Sequence, residues 1–208
     1  MGYKNLESTI LDLEKNGQLI RIQQEVDPFL EMSSIQLRAY KLGGPAILFE
    51  KVKGSEFRSL SNLFGDVNRS KFLFRDTLAM VQNIALLKKD PMLALKNPLK
   101  YLSTPRHLFN ALPKKISKSK AAMIETTLDK VPQITCWKDD GGPFVTLPIV
   151  YTEDIDQPGW MKSNMGMYRI QLAGNEYIQN EEIGLHYQIH RGIGVHQSKA
   201  NAKGQPLK

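Results

Sequence analysis

Apolar residues return at spacings of four and three at Leu6, Ile10 and Leu13. This puts them on one face of a predicted helix, with Gly17 as its stop. From Gln18 to Ile22 the pattern alternates as a strand does. Glu31 to Tyr40 is helical again and ends at Gly43-Gly44-Pro45. Ala46 to Val52 is an apolar run of strand length, and Lys53-Gly54 turns towards a further strand over Arg58 to Leu63. Helical periodicity resumes from Lys71 to Leu87. Pro91, Pro98, Pro105 and Pro113 then divide the chain into short helical pieces, since each proline removes a backbone donor.

The pattern changes character near residue 115. Lys114 to Lys120 alternates lysine and serine and reads as an exposed connection. Beyond it the chain is strand-like. Gln133 to Trp137 predicts one strand, and Asp139-Asp140-Gly141-Gly142 a turn. Val145 to Tyr151, interrupted at Pro148, predicts the returning strand. Gly174-Asn175 predicts a second hairpin between Tyr168–Leu172 and Tyr177–Gln179. The expected organisation is α+β, with a mixed domain over residues 1–118 and the start of a β-rich domain over 119–208.

Composition narrows the class without identifying it. The chain has 208 residues, 41% hydrophobic and 24% charged, as expected for a globular protein with a sizeable core. It contains no apolar run of 18 residues. The single cysteine, Cys136, excludes an internal disulfide and fits a reducing cytoplasm, and its apolar surroundings read as a buried strand. The net charge of +7 is concentrated: residues 88–120 hold nine lysines and arginines against Asp90 alone. A solvated helical face with a linker explains this, and peripheral association with an anionic membrane is the alternative. Nothing in the stretch has the glycine-rich or aromatic-interleaved pattern of an RNA-binding segment, so no nucleic-acid partner is expected.

The candidate chemistry lies towards the end of the chain. Asn164-Met165-Gly166-Met167-Tyr168-Arg169 precedes His186, His190, Arg191 and His196, and three of the four histidines fall in this window. An amide oxygen, imidazole nitrogens and guanidinium groups together suit a metal ion and a phosphate or carboxylate. Other readings of the same residues are an Asx-turn at Asn164, a strand-capping ion pair at Arg169 and surface histidines at 186 and 190. His196 reads as structural. Glu176, Glu181 and Glu182 read as solvated residues of a polar hairpin.

The order and spacing of four segments resemble the UbiD family of prenylated-flavin-dependent decarboxylases. They are Asp140-Gly141-Gly142-Pro143, Thr146 to Val150, Asn164 to Arg169, and His186-Tyr187-Gln188-Ile189-His190-Arg191-Gly192. The resemblance implies that residues 119–208 begin a split β-barrel that binds prenylated FMN with Mn2+ and K+. It implies Asn164 and His186 as metal ligands, with His190 the other candidate for the second position. Met167, Tyr168, Arg169, His186, Tyr187, Gln188, Arg191 and Gly192 would line the flavin, and Arg169 would be catalytic, within a Glu-Arg-Glu network. The two glutamates of that network and a third metal ligand have no counterpart here. The chain is therefore expected to be an N-terminal portion, inactive alone, of an enzyme that is a homo-oligomer when complete.

The implied activity is non-oxidative decarboxylation of an aromatic or α,β-unsaturated acid. The candidate substrates are a polyprenyl-hydroxybenzoate of ubiquinone synthesis, a related acid of menaquinone synthesis, a small phenolic acid or a cinnamate-like acid. The alternatives from other classes are a non-catalytic binding or assembly module and one half of a split enzyme.

Overall fold

A computed structural model describes residues 2–111 and 125–208. Its helices and small sheets are mixed, as α+β predicts. Helix α1 (Leu6–Lys15) starts at Asn5, whose side chain accepts from the Ser8 amide at 2.9 Å while the Ser8 hydroxyl reaches back to the Asn5 amide. It stops at Gly17, where φ is 67°. Strand β1 (Leu19–Val26) is longer than expected. Helix α2 (Glu31–Lys41) and strand β2 (Ala46–Val52) match the periodicity. Ala46 N donates to the Gln18 carbonyl and Lys53 N to the Val26 carbonyl, so β1 and β2 run in the same direction, joined by α2. Strand β3 (Ser59–Ser61) completes a sheet of order β1-β2-β3.

The expected strand over Arg58–Leu63 shrinks to these three residues because Asn62 turns to φ 54°. The Arg69 guanidinium, 4% exposed, takes up the carbonyls of Gly44, Asn62 and Leu63 at 2.8 to 3.1 Å. The helix expected over Lys71–Leu87 is two helices, α3 (Val67–Leu73) and α4 (Arg75–Lys89), broken at Phe74. Asp66 caps α3 by accepting from the Arg69 amide. Arg75 starts α4 bonded to Asp12 and to the Tyr3 hydroxyl, and its guanidinium lies 4.1 Å from the Phe72 ring centre. The prolines produce the short pieces α5 (Leu93–Lys96), α6 (Pro98–Tyr101) and α7 (Thr104–Ala111). Ile10, Leu13, Leu19, Ala46, Leu48 and Leu73 form a buried cluster, in which full burial of each leucine or isoleucine is worth about 2 kcal/mol.

Two compact units result. The first takes Met1–Arg21, Arg38–Leu48 and Leu60–Met123, and the second Ile22–Leu37, Phe49–Ser59 and Ile124–Lys208. The expected boundary at 118 and the Lys114–Lys120 connection lie outside the described residues.

The second unit corrects the strand expectations. Gln133–Trp137 is not a strand. Thr135 makes a single parallel bridge to Phe29, its amide and carbonyl being used by Pro28 and Leu30. The apolar run after Pro143 is β4 (Phe144–Val145) and β5 (Ile149–Thr152), divided at Pro148. They join different sheets. β5 pairs with β6 (Asn164–Met167), and β4 with β7 (Ile170–Gln171). The partner of β7 on its other side is β8 (Gly184–Leu185), while Tyr177–Gln179 forms no strand. Helix α8 (Gly192–Ala202) follows, with Ile193 and Ala200 buried. Cys136 is half-buried in a loop, and burial pushes its thiol pKa up, with Asp140 adding to the shift and Arg169 opposing it.

Candidate functional site

The antiparallel register Thr152↔Asn164 to Ile149↔Met167 places Asn164 at the start of β6 and Met167 at its end. Thr152 is tied to α8 by a buried 3.0 Å hydrogen bond to His196 Nδ1, which makes His196 structural as expected. Gly166 leaves room for the Tyr168 side chain. A Cβ there would lie 2.8 Å from the Tyr168 ring, which folds back so that its hydroxyl accepts from Asn164 Nδ2 at 3.0 Å. With its amide nitrogen engaged, Asn164 keeps Oδ1 for another partner. That oxygen faces Gly192, the first residue of α8, where an added Cβ would come within 2.3 Å. Arg191 occupies the N-cap position of α8 and makes no side-chain capping bond. The first-turn amides of the helix and the Asn164 oxygen are therefore brought to one place.

Arg169 follows β6. Its guanidinium stacks on the Phe144 ring at 3.8 Å and lies 3.6 Å from Asp140 Oδ1. The side chain remains 45% exposed, so stacking and pairing orient it without closing it off. His186 opens the next segment. Its Nε2 is 3.1 Å from Gln171 Oε1, and its ring meets Phe144 edge-on with centroids 5.4 Å apart. Phe144 thus carries both Arg169 and His186.

A cavity of about 400 Å³ gathers these groups. Gly166, Met167, Tyr168 and Arg169 line one stretch of it, and His186, Tyr187, Gln188 and Arg191 the other. Seven of the eight expected flavin-lining residues are in this wall. The eighth, Gly192, adjoins Arg191 and meets Asn164, which is bonded to the wall through Tyr168. His190 is exposed and is not part of the lining. Glu176, Glu181 and Glu182 are exposed. Among the described residues, no cluster of three or more His, Cys, Asp or Glu side chains is placed to hold a metal ion. Asn164 is bonded to the wall through Tyr168, and His186 is part of it.

Sequence patterning does not single out three contributors. Asp140 reads as a turn residue within a family-like segment and Phe144 carries no reading of its own, although both orient Arg169. Gln171 does not stand out at all. Its spacing of two from Arg169 puts both on one face of an extended segment, and that is the available signal.

Comparison with known proteins identifies the family. Residues 10–88 match the 3-octaprenyl-4-hydroxybenzoate carboxy-lyase N-terminal domain and residues 113–208 the Rift-related domain of the same enzymes. A Chlamydia pneumoniae protein, named as one of the subunits of a 4-hydroxybenzoate decarboxylase, is 36% identical over 91% of this chain and 32% of its own length. The chain is similar to an evolved dimeric form of the UbiD-class enzyme HmfF from Pelotomaculum thermopropionicum in complex with prFMN. That match has 25% identity and a TM-score of 0.69, and covers 99% of this chain and 43% of that one. The closed form of Sedimentibacter hydroxybenzoicus vanillic acid decarboxylase is 26% identical with a TM-score of 0.71, over 100% of this chain and 42% of that one. The chain spans less than half the length of each of these relatives. No helix among the described residues is long and apolar enough to cross a membrane. With both family domains matched in order along the sequence, this chain belongs to the UbiD family of carboxy-lyases.

Proposed function

We propose that this chain forms the flavin- and metal-binding part of an enzyme that decarboxylates an aromatic or α,β-unsaturated acid without net oxidation. The observation that carries this reading is the cavity shared by Met167, Tyr168, Arg169, His186, Tyr187, Gln188 and Arg191. The donor set fits a phosphate held with a divalent cation. Asn164 Oδ1 faces the bare Gly192 at the start of α8, where helix amides and Arg191 favour an anion. Asn164 and His186 are the proposed ligands of Mn2+, with His186 preferred to His190 by its place in the wall. K+ is the proposed second cation. The small sheets are proposed to belong to a split β-barrel.

Prenylated FMN, when bound, supplies the sink for the electron pair released as the carbon–carboxylate bond breaks. Arg169 is suited to hold the substrate carboxylate through its planar fork, with Phe144 and Asp140 keeping it in place. Met167 and Tyr187 would offer apolar surface to the aromatic part of the ligand. After carbon dioxide leaves, the same carbon regains a proton. Among the described residues none that lines the cavity is a carboxylic acid, so this proton is proposed to come from another segment or chain. Accordingly the chain alone is proposed to bind cofactor without turnover, inside an oligomeric assembly in the cytoplasm.

The test is equilibrium binding of prenylated FMN with Mn2+, followed by flavin absorbance. The unmodified chain should retain flavin, and Asn164→Ala and His186→Ala should each lose it. Equal retention by all three would overturn the reading. A second reading, one half of a split enzyme, is supported by the chain's spanning only 42% and 43% of the two solved UbiD-class chains it matches. Carbon dioxide release that appears only when a companion chain is added would select it, and bound flavin without turnover under any addition would select an assembly module.

A further inference from the structure

Gln171 is 1% exposed, and its amide is fully accounted for. Nε2 donates to the Gly141 carbonyl at 2.9 Å and to the Ala173 carbonyl at 3.1 Å. Turning the amide over would set Oε1 against two carbonyl oxygens, so the backbone dictates its orientation. Oε1 is thus the atom presented to His186 Nε2, 3.1 Å away. It also accepts from Asn175 Nδ2 at 3.4 Å. The turn that offers the Gly141 carbonyl is itself constrained. A Cβ on Gly142 would lie 1.9 Å from the Ala173 oxygen, and one on Gly141 3.3 Å from Gln171 Nε2. The Asp140-Gly141-Gly142 segment therefore serves the site twice, through Asp140 on Arg169 and through Gly141 on Gln171.

An acceptor oxygen facing a ring nitrogen requires that nitrogen to carry the hydrogen. In a neutral imidazole the lone pair then resides on the other nitrogen. We propose that Gln171 is a positioning residue that holds His186 as the Nε2–H tautomer and so makes Nδ1 the atom offered to a ligand of the cavity. The edge-on Phe144 ring restricts rotation of the imidazole. That Nδ1 takes a divalent cation rests on the proposed function, whereas the tautomer rests on the hydrogen bonds alone.

Long-range proton–nitrogen NMR of the full chain, labelled at histidine nitrogen, tests this. His186→Asn identifies the His186 signals by their disappearance. In the unmodified chain His186 should show a protonated Nε2 and an unprotonated Nδ1, with the Nε2 hydrogen detectable. In Gln171→Met, a change of similar volume, that hydrogen should exchange with water at least about tenfold faster and the Nδ1–H form should appear. Protonated Nδ1 in the unmodified chain overturns the proposal whether or not the variant folds. So does an unchanged His186 spectrum in folded Gln171→Met. Added Mn2+ alone separates the two readings. Selective broadening of His186 that weakens about tenfold or more in Gln171→Met supports both. The expected tautomer without broadening leaves Gln171 in its role and removes His186 from the metal site.

Discussion

Asn164 and Gly192 meet so closely that no side chain fits between them. A Cβ at residue 192 would stand 2.3 Å from Asn164 Oδ1 and 2.8 Å from its Cγ. Gly192→Ala should displace the Asn164 amide and lower flavin and Mn2+ retention by about tenfold or more. Helix propensity favours alanine at this position, so α8 should not be weakened by the change itself. Flavin absorbance after dialysis is the measurement, with circular dichroism as the control for folding. Undiminished retention would remove this contact from the site.

Arg169→Lys keeps the charge and loses the planar group that stacks on Phe144 and approaches Asp140. In the enzyme containing this chain, kcat should fall about a hundredfold, because misplacement at the reacting centre is expensive. Flavin retention should be nearly unchanged, since the proposed phosphate and metal contacts are made by other residues. Near-normal turnover would make Arg169 a structural arginine.

Arg69 is a folding residue rather than a site residue. Arg69→Ala removes the partner of three backbone carbonyls in a buried position, at a cost of about 3 kcal/mol or more. Denaturant unfolding should show the midpoint moving to lower concentration. A shift too small to measure would mean that water replaces the guanidinium.

Acid stability should depend on Asp12. The Tyr3 hydroxyl at 2.6 Å, and then Arg75 at 2.8 Å, hold its carboxyl below the usual carboxylate range. A depressed folded-state value contributes stability above the unfolded value of about 3.9, and this is lost as pH falls through the folded value. Asp12→Asn should therefore lower Tm at pH 7, and its deficit should shrink below about pH 4. A deficit that stays constant between pH 7 and pH 3 would assign the effect to packing.

Hydrogen exchange should separate the sheets. Strands β1 and β2, eight and seven residues long with Ala46 to Phe49 buried, should be well protected. Strands β4, β7 and β8 have two residues each and should open more readily. Equal protection in the two sheets would show that the short strands are stabilised by more than their own pairing.

Local pattern alone determined α1, α2 and β2. Capping at Asn5, the glycine stops at 17 and 43, and the apolar run Ala46–Phe49 act within a few residues of themselves. Family membership was equally legible, because the motifs from Asp140 to Gly192 are strings of residue types in a fixed order. Only the tertiary structure decided the break at Phe74, since the partner that draws Arg75 aside is Asp12, far away in sequence. It also decided that β4 pairs with β7 and that Gln133–Trp137 is not a strand. Periodicity records which face of a segment is apolar but not which distant backbone supplies its hydrogen bonds. For the same reason the imidazole of His186 could be picked out as a candidate ligand, while its facing atom depended on a buried amide held by the carbonyls of Gly141 and Ala173.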